Sequence, residues 1–389
     1  MTSATAAHRP PPWRDIRVLR VAIQCIFLAA IAALIGYLGG TLRVNLLRAG
    51  LPTGFDFLRR PTGVNIRDVA FDPGQPIHDA LFVGVTQTIR VAMLGIVLAT
   101  VLGSGLGIAR LSTNWLVSRS AGVYVEAVRN IPVLVIISFA YTAVILRLPP
   151  ITQAAEWLSA VVLSNRGLAL PWVTVRAGVG PFLAAVLAGL TLAILVGVHR
   201  TRRFDATGQP RHRLLWGGGA LLAVGIVAYL ALGRPIVMSL PSREGRAVIG
   251  GIQLGPEFAA LLAGIVLYSA SHIAEIVRGG ILAVPRGQTE AATAIGLTAF
   301  PRLRFVILPQ ALRIMIPLFA NQCLNVMKNS SLAVAVGYFE LAQITNQAVA
   351  NGNPAPQLYL LLMACYLILS LGISLVANLV NRRLDVEAR

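Results

Sequence analysis

Long apolar runs separated by short polar ones organise this chain. Eight runs, at about 21–40, 82–109, 120–146, 181–198, 214–233, 258–283, 311–336 and 357–380, approach or exceed the length of a membrane-crossing helix. Such a helix needs about 20 mostly apolar residues, because the hydrocarbon layer is about 30 Å thick and a helix rises about 1.5 Å per residue. The pattern predicts an all-α polytopic membrane protein with about eight transmembrane helices. Segment 41–80, with Pro52, Pro61, Pro73 and Pro76, reads as a loop outside the membrane, and 147–180 and 234–257 read as two more. Segment 337–356 reads as an amphipathic stretch followed by a loop.

One polar interval, 284–310, lies between two very apolar runs and predicts a helical elbow. Pro285 suits a first helical turn, Arg286 to Ile295 is rich in helix formers, and Gly296 stands where a left-handed helix stop belongs. A second helix can start with Thr298 as N-cap and Pro301 just inside, with Pro309 and Pro317 limiting how it runs on.

Composition narrows the class. With 56% hydrophobic and 12% charged residues and a mean hydropathy of +0.73, the chain is too apolar for a soluble domain. The net charge of +18 would suit nucleic acid, but that composition does not, so membrane topology is the better account of the arginines. With the N-terminus inside, segments 1–20, 110–119, 199–213, 284–313 and 382–389 hold 18 basic residues in 83 positions, against 11 in 118 for the outer segments. That asymmetry places the elbow and both termini in the cytoplasm. The apolar run after the arginines at positions 9, 14, 17 and 20 is read as a first transmembrane helix rather than a cleaved signal.

Candidate chemistry is sparse. Lys328 is the single lysine and is followed by Asn329, so no Gly-Lys-Ser/Thr phosphate loop exists and no ATP site is expected in the chain. Cys25, Cys323 and Cys365 are isolated in apolar surroundings, and His272 near Glu275 lacks the further ligands of a metal site, so no metal is expected. Gly103 and Gly107 have a helix-packing spacing. Glu126 and Arg129 lie one turn apart and can neutralise each other, either as an exposed interfacial pair or as part of a working site, and Glu275 and Arg278 repeat the spacing. The run after residue 311 carries Asn321, Gln322, Asn325, Lys328, Asn329, Ser330 and Ser331. Lys328 can meet a substrate carboxylate or snorkel to outer headgroups, and Asn321 and Asn325 can line a cavity or bond neighbouring helices.

Glu290-Ala291-Ala292, then Gly296, then Leu308-Pro309, with Val306 where isoleucine is usual, resemble the cytoplasmic EAA loop of permease subunits of binding-protein-dependent ABC importers. Tyr124-Val125-Glu126, Arg129-Asn130-Ile131-Pro132, the Glu275 to Gly280 stretch and Lys328 to Leu332 resemble segments of the polar or general L-amino-acid transporter family, which is histidine permease-like. The resemblance implies a type I importer core of five helices, formed by spans two, three, six, seven and eight. On that reading, 1–79 is a tail, an extra helix and a periplasmic loop. Residues 80–147 and 258–383 form the two parts of the core, 148–257 is an insertion carrying two extra helices, and 384–389 is a tail. Expected partners are a cytoplasmic ABC ATPase dimer that binds ATP and magnesium, a second homologous permease or a second copy, a periplasmic amino-acid-binding protein and membrane lipid, with no nucleic acid. Arg286, Gly287, Gln288, Glu290, Ala291, Ala292, Gly296, Leu308 and Pro309 would couple to the ATPase; Asn321, Asn325, Lys328, Asn329 and Ser330 are candidates for the substrate path. Opines or peptides are the alternative cargo. An ion-coupled secondary transporter is the rival class, but it usually shows inverted repeats, and none is evident here.

Overall fold

The computed structural model describes residues 16–50, 52–67, 69–157, 160–207 and 213–386. The N-terminal positions 9 and 14, the middle of the 199–213 linker and the last three residues lie outside the described residues.

Among the described residues, six helical runs are long and apolar enough to cross a membrane. They are α1 (Ile16–Arg48), α2 (Ile77–Ala109), α5 (Val179–Thr207), α7 (Pro256–Leu282), the run from α9 (Ala299–Arg302) into α10 (Leu308–Asn329), and α12 (Ala355–Val386). A further apolar pair is sharply bent, as a broken span or a re-entrant loop: α3 (Trp115–Arg129) and the segment Val133–Arg147, which starts with α4 (Val133–Phe139), meet at 102°. The eighth apolar run forms α6 (Arg213–Ala231), whose 19 residues span about 28 Å.

The third span was expected to be one helix, and proline explains the difference. Pro132 has no N–H to donate, and its ring disfavours helix at Ile131, so the chain turns although hydropathy runs on. Helix α3 also starts earlier than expected, because the Asn114 side chain accepts hydrogen bonds from the N–H groups of Leu116 and Val117 at 3.0 and 3.3 Å.

The two stretches read as plain loops between 147 and 257 carry eight short strands. β1 (Ala155–Trp157), β2 (Val161–Ser164), β3 (Gly167–Leu170) and β8 (Ile252–Leu254) make an antiparallel sheet in that order. β4 (Trp172–Val175) pairs with β5 (Ile236–Ser239), and β6 (Ser242–Glu244) with β7 (Ala247–Ile249). Leu168 opposite Leu254 closes the large sheet by pairing the two ends of this stretch. Helices α5 and α6 pack chiefly against each other as an antiparallel hairpin on the β4–β5 ribbon.

The chain divides into two compact units, residues 1–87 with 339–369 and residues 88–338 with 370–389. In the first, Phe57, Val64, Ile66 and Ile77 are buried with Leu341, Ile344 and Ala348 of α11 (Leu341–Ala350) and Leu358 of α12. Glu340 is fully buried there: one carboxylate oxygen caps α11 by accepting from the N–H groups of Ala342 and Gln343, and the other accepts from the Tyr366 hydroxyl at 2.7 Å. In the second unit, α7 is the central helix. It packs on α3, α4 and α10, with Val91, Ile137, Phe258, Leu261, Ile265 and Val326 in the core.

Candidate functional site: the helical elbow and its root

The elbow forms as its residue order dictates. Pro285, extended at φ −56° and ψ 136°, precedes α8 (Arg286–Ala294), and Gly296 ends it at φ +81°. The Gly296 N–H donates to the Thr293 carbonyl at 2.9 Å and the Leu297 N–H to the Ala292 carbonyl at 3.1 Å, which together satisfy the helix end as a Schellman cap. Thr298 stands at the N-cap position of α9, extended as expected, but its hydroxyl makes no capping bond.

The prolines beyond it do not stop the helix. A π-turn at Leu303–Ile307 carries the chain from α9 into α10, with Leu308 N–H reaching back to the Leu303 carbonyl. Pro309 falls in the first turn of α10, where a missing N–H costs little, and Pro317 is held inside the helix.

Two side-chain ties close the elbow on itself. Arg302 donates to the Thr293 hydroxyl at 2.8 Å, and Gln310 donates to the Gln288 carbonyl oxygen at 3.1 Å. At the root, Val284, Ala311 and Met315 are buried together. The elbow is therefore a braced unit on the crossing of α7 and α10.

Its outward surface includes most of the residues singled out from the sequence. Arg286, Gly287, Gln288, Glu290, Ala291, Gly296, Leu308 and Pro309 are exposed. Ala292 is different: at 3% exposure it packs inside the elbow, so its small size serves the bend. The sequence reading passed over Ile295, 77% exposed, and Phe300, 69% exposed. Exposed large apolar side chains on an otherwise polar segment are candidates for a contact surface, and their place in that interval was the available signal.

Just before the elbow, α7 holds an ion cluster. Glu275 Oε1 accepts from Arg278 Nη2 at 2.5 Å, while Oε2 pairs with Arg110 at the end of α2 and lies 3.9 Å from Arg129 Nη1 at the end of α3. Glu275, rather than Glu126, is the acid that Arg129 approaches. One carboxylate thus gathers guanidinium groups from three helices.

On α10, Asn321, Asn325 and Lys328 are exposed at a spacing that puts them on one face. Gln322 is buried on the adjoining flank, where its carbonyl oxygen accepts from Asn325 at 3.4 Å and its amide nitrogen has no partner. Asn329 is half-buried, and buried Ser330 bonds back to the Met327 carbonyl. Arg90, which the sequence reading did not remark on, is a charge within α2. It is half-buried, with its guanidinium 4.6 Å above the Phe258 ring. Among the described residues no three His, Cys, Asp or Glu side chains gather as metal ligands would.

Fold and site together define a polytopic membrane protein with a braced helical elbow at the root of two spans. The chain belongs to the family of binding-protein-dependent transport system inner membrane components, which matches residues 94–386. It is 34% identical over 377 residues to the general L-amino acid transport system permease protein AapQ of Rhizobium johnstonii, covering 96% of this chain and 94% of that one. It is 33% identical over 409 residues to the glutamate/glutamine/aspartate/asparagine transport system permease protein BztB of Rhodobacter capsulatus, covering 96% of each.

Proposed function

We propose that this chain is the permease subunit of an ATP-driven importer that moves L-amino acids from periplasm to cytoplasm by alternating access. It would be a multi-pass protein of the bacterial inner membrane, with both termini and the elbow on the cytoplasmic side. The names of its relatives support the cargo, and the excess of arginine in the inner segments supports the orientation. The core comprises 80–147 and 258–383, with 148–257 as an insertion. A second permease, homologous or identical, completes the pathway, and a periplasmic amino-acid-binding protein delivers the cargo.

The observation that carries this reading is the elbow. A short helix capped at Gly296 and tied by Thr293–Arg302 and Gln288–Gln310 can transmit force without bending. It docks in a cytoplasmic ATPase dimer, which binds the ATP and magnesium. Ile295 and Phe300 enter apolar pockets, Ala291 permits close approach, and Glu290 and Arg286 set the register by charge. Cargo passes along the α10 face of Asn321, Asn325 and Lys328, near Asn329 and Ser330.

The test is Gly296→Arg in the assembled transporter. At φ +81° any side chain strains the cap, and an arginine also adds bulk to the docking surface. The variant is expected to reach the membrane at normal level and to lose ATP-coupled uptake in vesicles. Unimpaired uptake would remove the elbow from the mechanism, and uptake that follows an ion gradient without ATP would overturn the importer class.

A further inference from the structure

Helices α7 and α10 run antiparallel, and two contacts fix their register. A Cβ on Gly280 would lie 3.5 Å from the Ala311 carbonyl oxygen. Further along, a Cβ on Gly95 of α2 would touch Ile265 of α7 and Val326 of α10 together, at 3.4 and 3.3 Å. The second contact is fifteen residues from the first on both helices, back from 280 to 265 on one and on from 311 to 326 on the other. Between the two, each helix carries a polar side chain eleven residues from the Gly280–Ala311 contact: Ser269 on α7 and Gln322 on α10. Eleven residues are close to three turns, so each side chain returns to within about 20° of the contacting face. Ser269 and Gln322 therefore stand at one level, on the faces that α7 and α10 turn to each other.

Both are buried, at 0% and 5% exposure, and among the described residues neither the Ser269 hydroxyl nor Gln322 Nε2 has a partner. Asn325 donates to Gln322 Oε1 at 3.4 Å, which leaves the amide N–H groups of Gln322 as the orphans. Their neighbours Ala270, Ile273 and Phe319 are apolar and pack with Ala99. An unpaired polar group there has given up its bonds to water and gained none in return. Together the two side chains supply what one acceptor oxygen needs, an O–H from one helix and an N–H from the other. Gln322 adjoins the α10 face of Asn321, Asn325 and Lys328, so an oxygen moving along that face reaches it when α7 and α10 part. The carboxylate of an amino acid carries such an oxygen. Lys328 lies six residues beyond Gln322, about 9 Å further along the helix. A carboxylate that has passed the ammonium then meets neutral donors, which hold it less tightly and let it go, as a pathway requires.

We propose that Ser269 and Gln322 form a two-donor seat for the carboxylate of the cargo, deeper along the path than Lys328, filled when α7 and α10 part and closed in this structure. The seat rests on the importer reading above and names the group of the cargo that it takes.

The test melts the assembled complex of permeases and ATPase, as wild type, Ser269→Ala and Gln322→Met, across a range of L-alanine or of its amide. Wild type is expected to be stabilised by L-alanine and far less by the amide. Each variant is expected to need about tenfold more L-alanine for the same rise, the loss of one hydrogen bond to a charged group, and to show a narrower preference over the amide. Without cargo, both variants are expected to melt at or above the wild-type temperature, because an orphan donor has left an apolar site. A buried water or a purely structural tie gives the opposite pattern, a lower melting temperature with unchanged affinity for L-alanine, and that result overturns the seat. If wild type responds to no L-amino acid, the cargo reading falls and the seat with it. If L-alanine stabilises wild type and both variants at equal concentrations, the seat alone falls.

Discussion

Single atoms decide two outcomes at opposite ends of the cost scale. A Cβ at Gly103 would sit 2.7 Å from the Ala270 carbonyl oxygen and from Ile273 Cβ, and one at Gly107 would meet Ala274 and Val277 equally closely. Because the Ala270 and Ala274 contacts are backbone, neither helix can yield, and Gly103→Val should cost about 1–3 kcal/mol through overpacking. Gly105, on the same helix with nothing within 4 Å, is the control: Gly105→Ala should be neutral or stabilising by up to about 1 kcal/mol. Thermal melting of the purified complex checks both. The glycine spacing was visible in the sequence, but the direction each glycine faces was not, since that depends on α7, which lies more than 150 residues away. Lys328 poses the opposite case, a charge with room around it. If it takes the cargo's carboxylate, Lys328→Met raises the KM for uptake and weakens cargo binding by tenfold or more, in line with the loss of a charged hydrogen bond of about 1.5–3 kcal/mol. Unchanged affinity and rate would assign it to lipid headgroups.

At the scale of elements, the Glu275 cluster sits where α7 hands over to the elbow. Any movement of α7 relative to α2 and α3 must carry or break the pairs that Glu275 makes with Arg110 and Arg129. Glu275→Gln leaves three guanidinium groups close together without their acid. The cluster is partly exposed, so the cost falls between the ~1 kcal/mol of a surface pair and the ~3 kcal/mol of a broken buried one. The expected result is a lowered melting temperature together with ATP hydrolysis that no longer drives uptake. An unchanged ratio of cargo moved to ATP spent would leave the cluster a purely structural tie. The elbow itself was legible because its instructions are local: Pro285 opens it, Gly296 ends α8, and Thr298 starts the next turn. The break at Pro132 obeys the same local rule, yet the unbroken hydropathy on either side hid it. Of the Glu275 cluster only the pair with Arg278, one turn away, was legible; Arg110 and Arg129 lie far off in sequence, and only the packing of α2 and α3 on α7 brings them in. The short strands escaped for a third reason. Runs such as Gly-Leu-Ala-Leu at β3 show no clear alternation and are held by pairing to β2 and β8, partners that no local window contains.

At the scale of the whole chain, the proposed insertion can be tested by excision. In the β4–β5 ribbon Thr174 lies opposite Val237, so the two strands can be joined there by a two-residue turn of Asn-Gly type, the commonest closure of an antiparallel pair. Replacing 175–236 by that turn removes α5, α6 and their basic connection, but keeps β6, β7 and the sheet that Leu168 and Leu254 close. On the proposed topology two crossings are lost, so every later segment keeps its side of the membrane, the elbow included. Deleting one crossing instead would invert α7, the elbow and α10 against the arginine asymmetry that orients them. The shortened protein is therefore expected to insert, to run as a single species with its partners on gel filtration and to retain ATP-coupled uptake. A single-helix deletion, 179–207, is expected to fail in both assembly and uptake. If the two-helix excision aggregates, the hairpin braces the core and 148–257 is not a separable module.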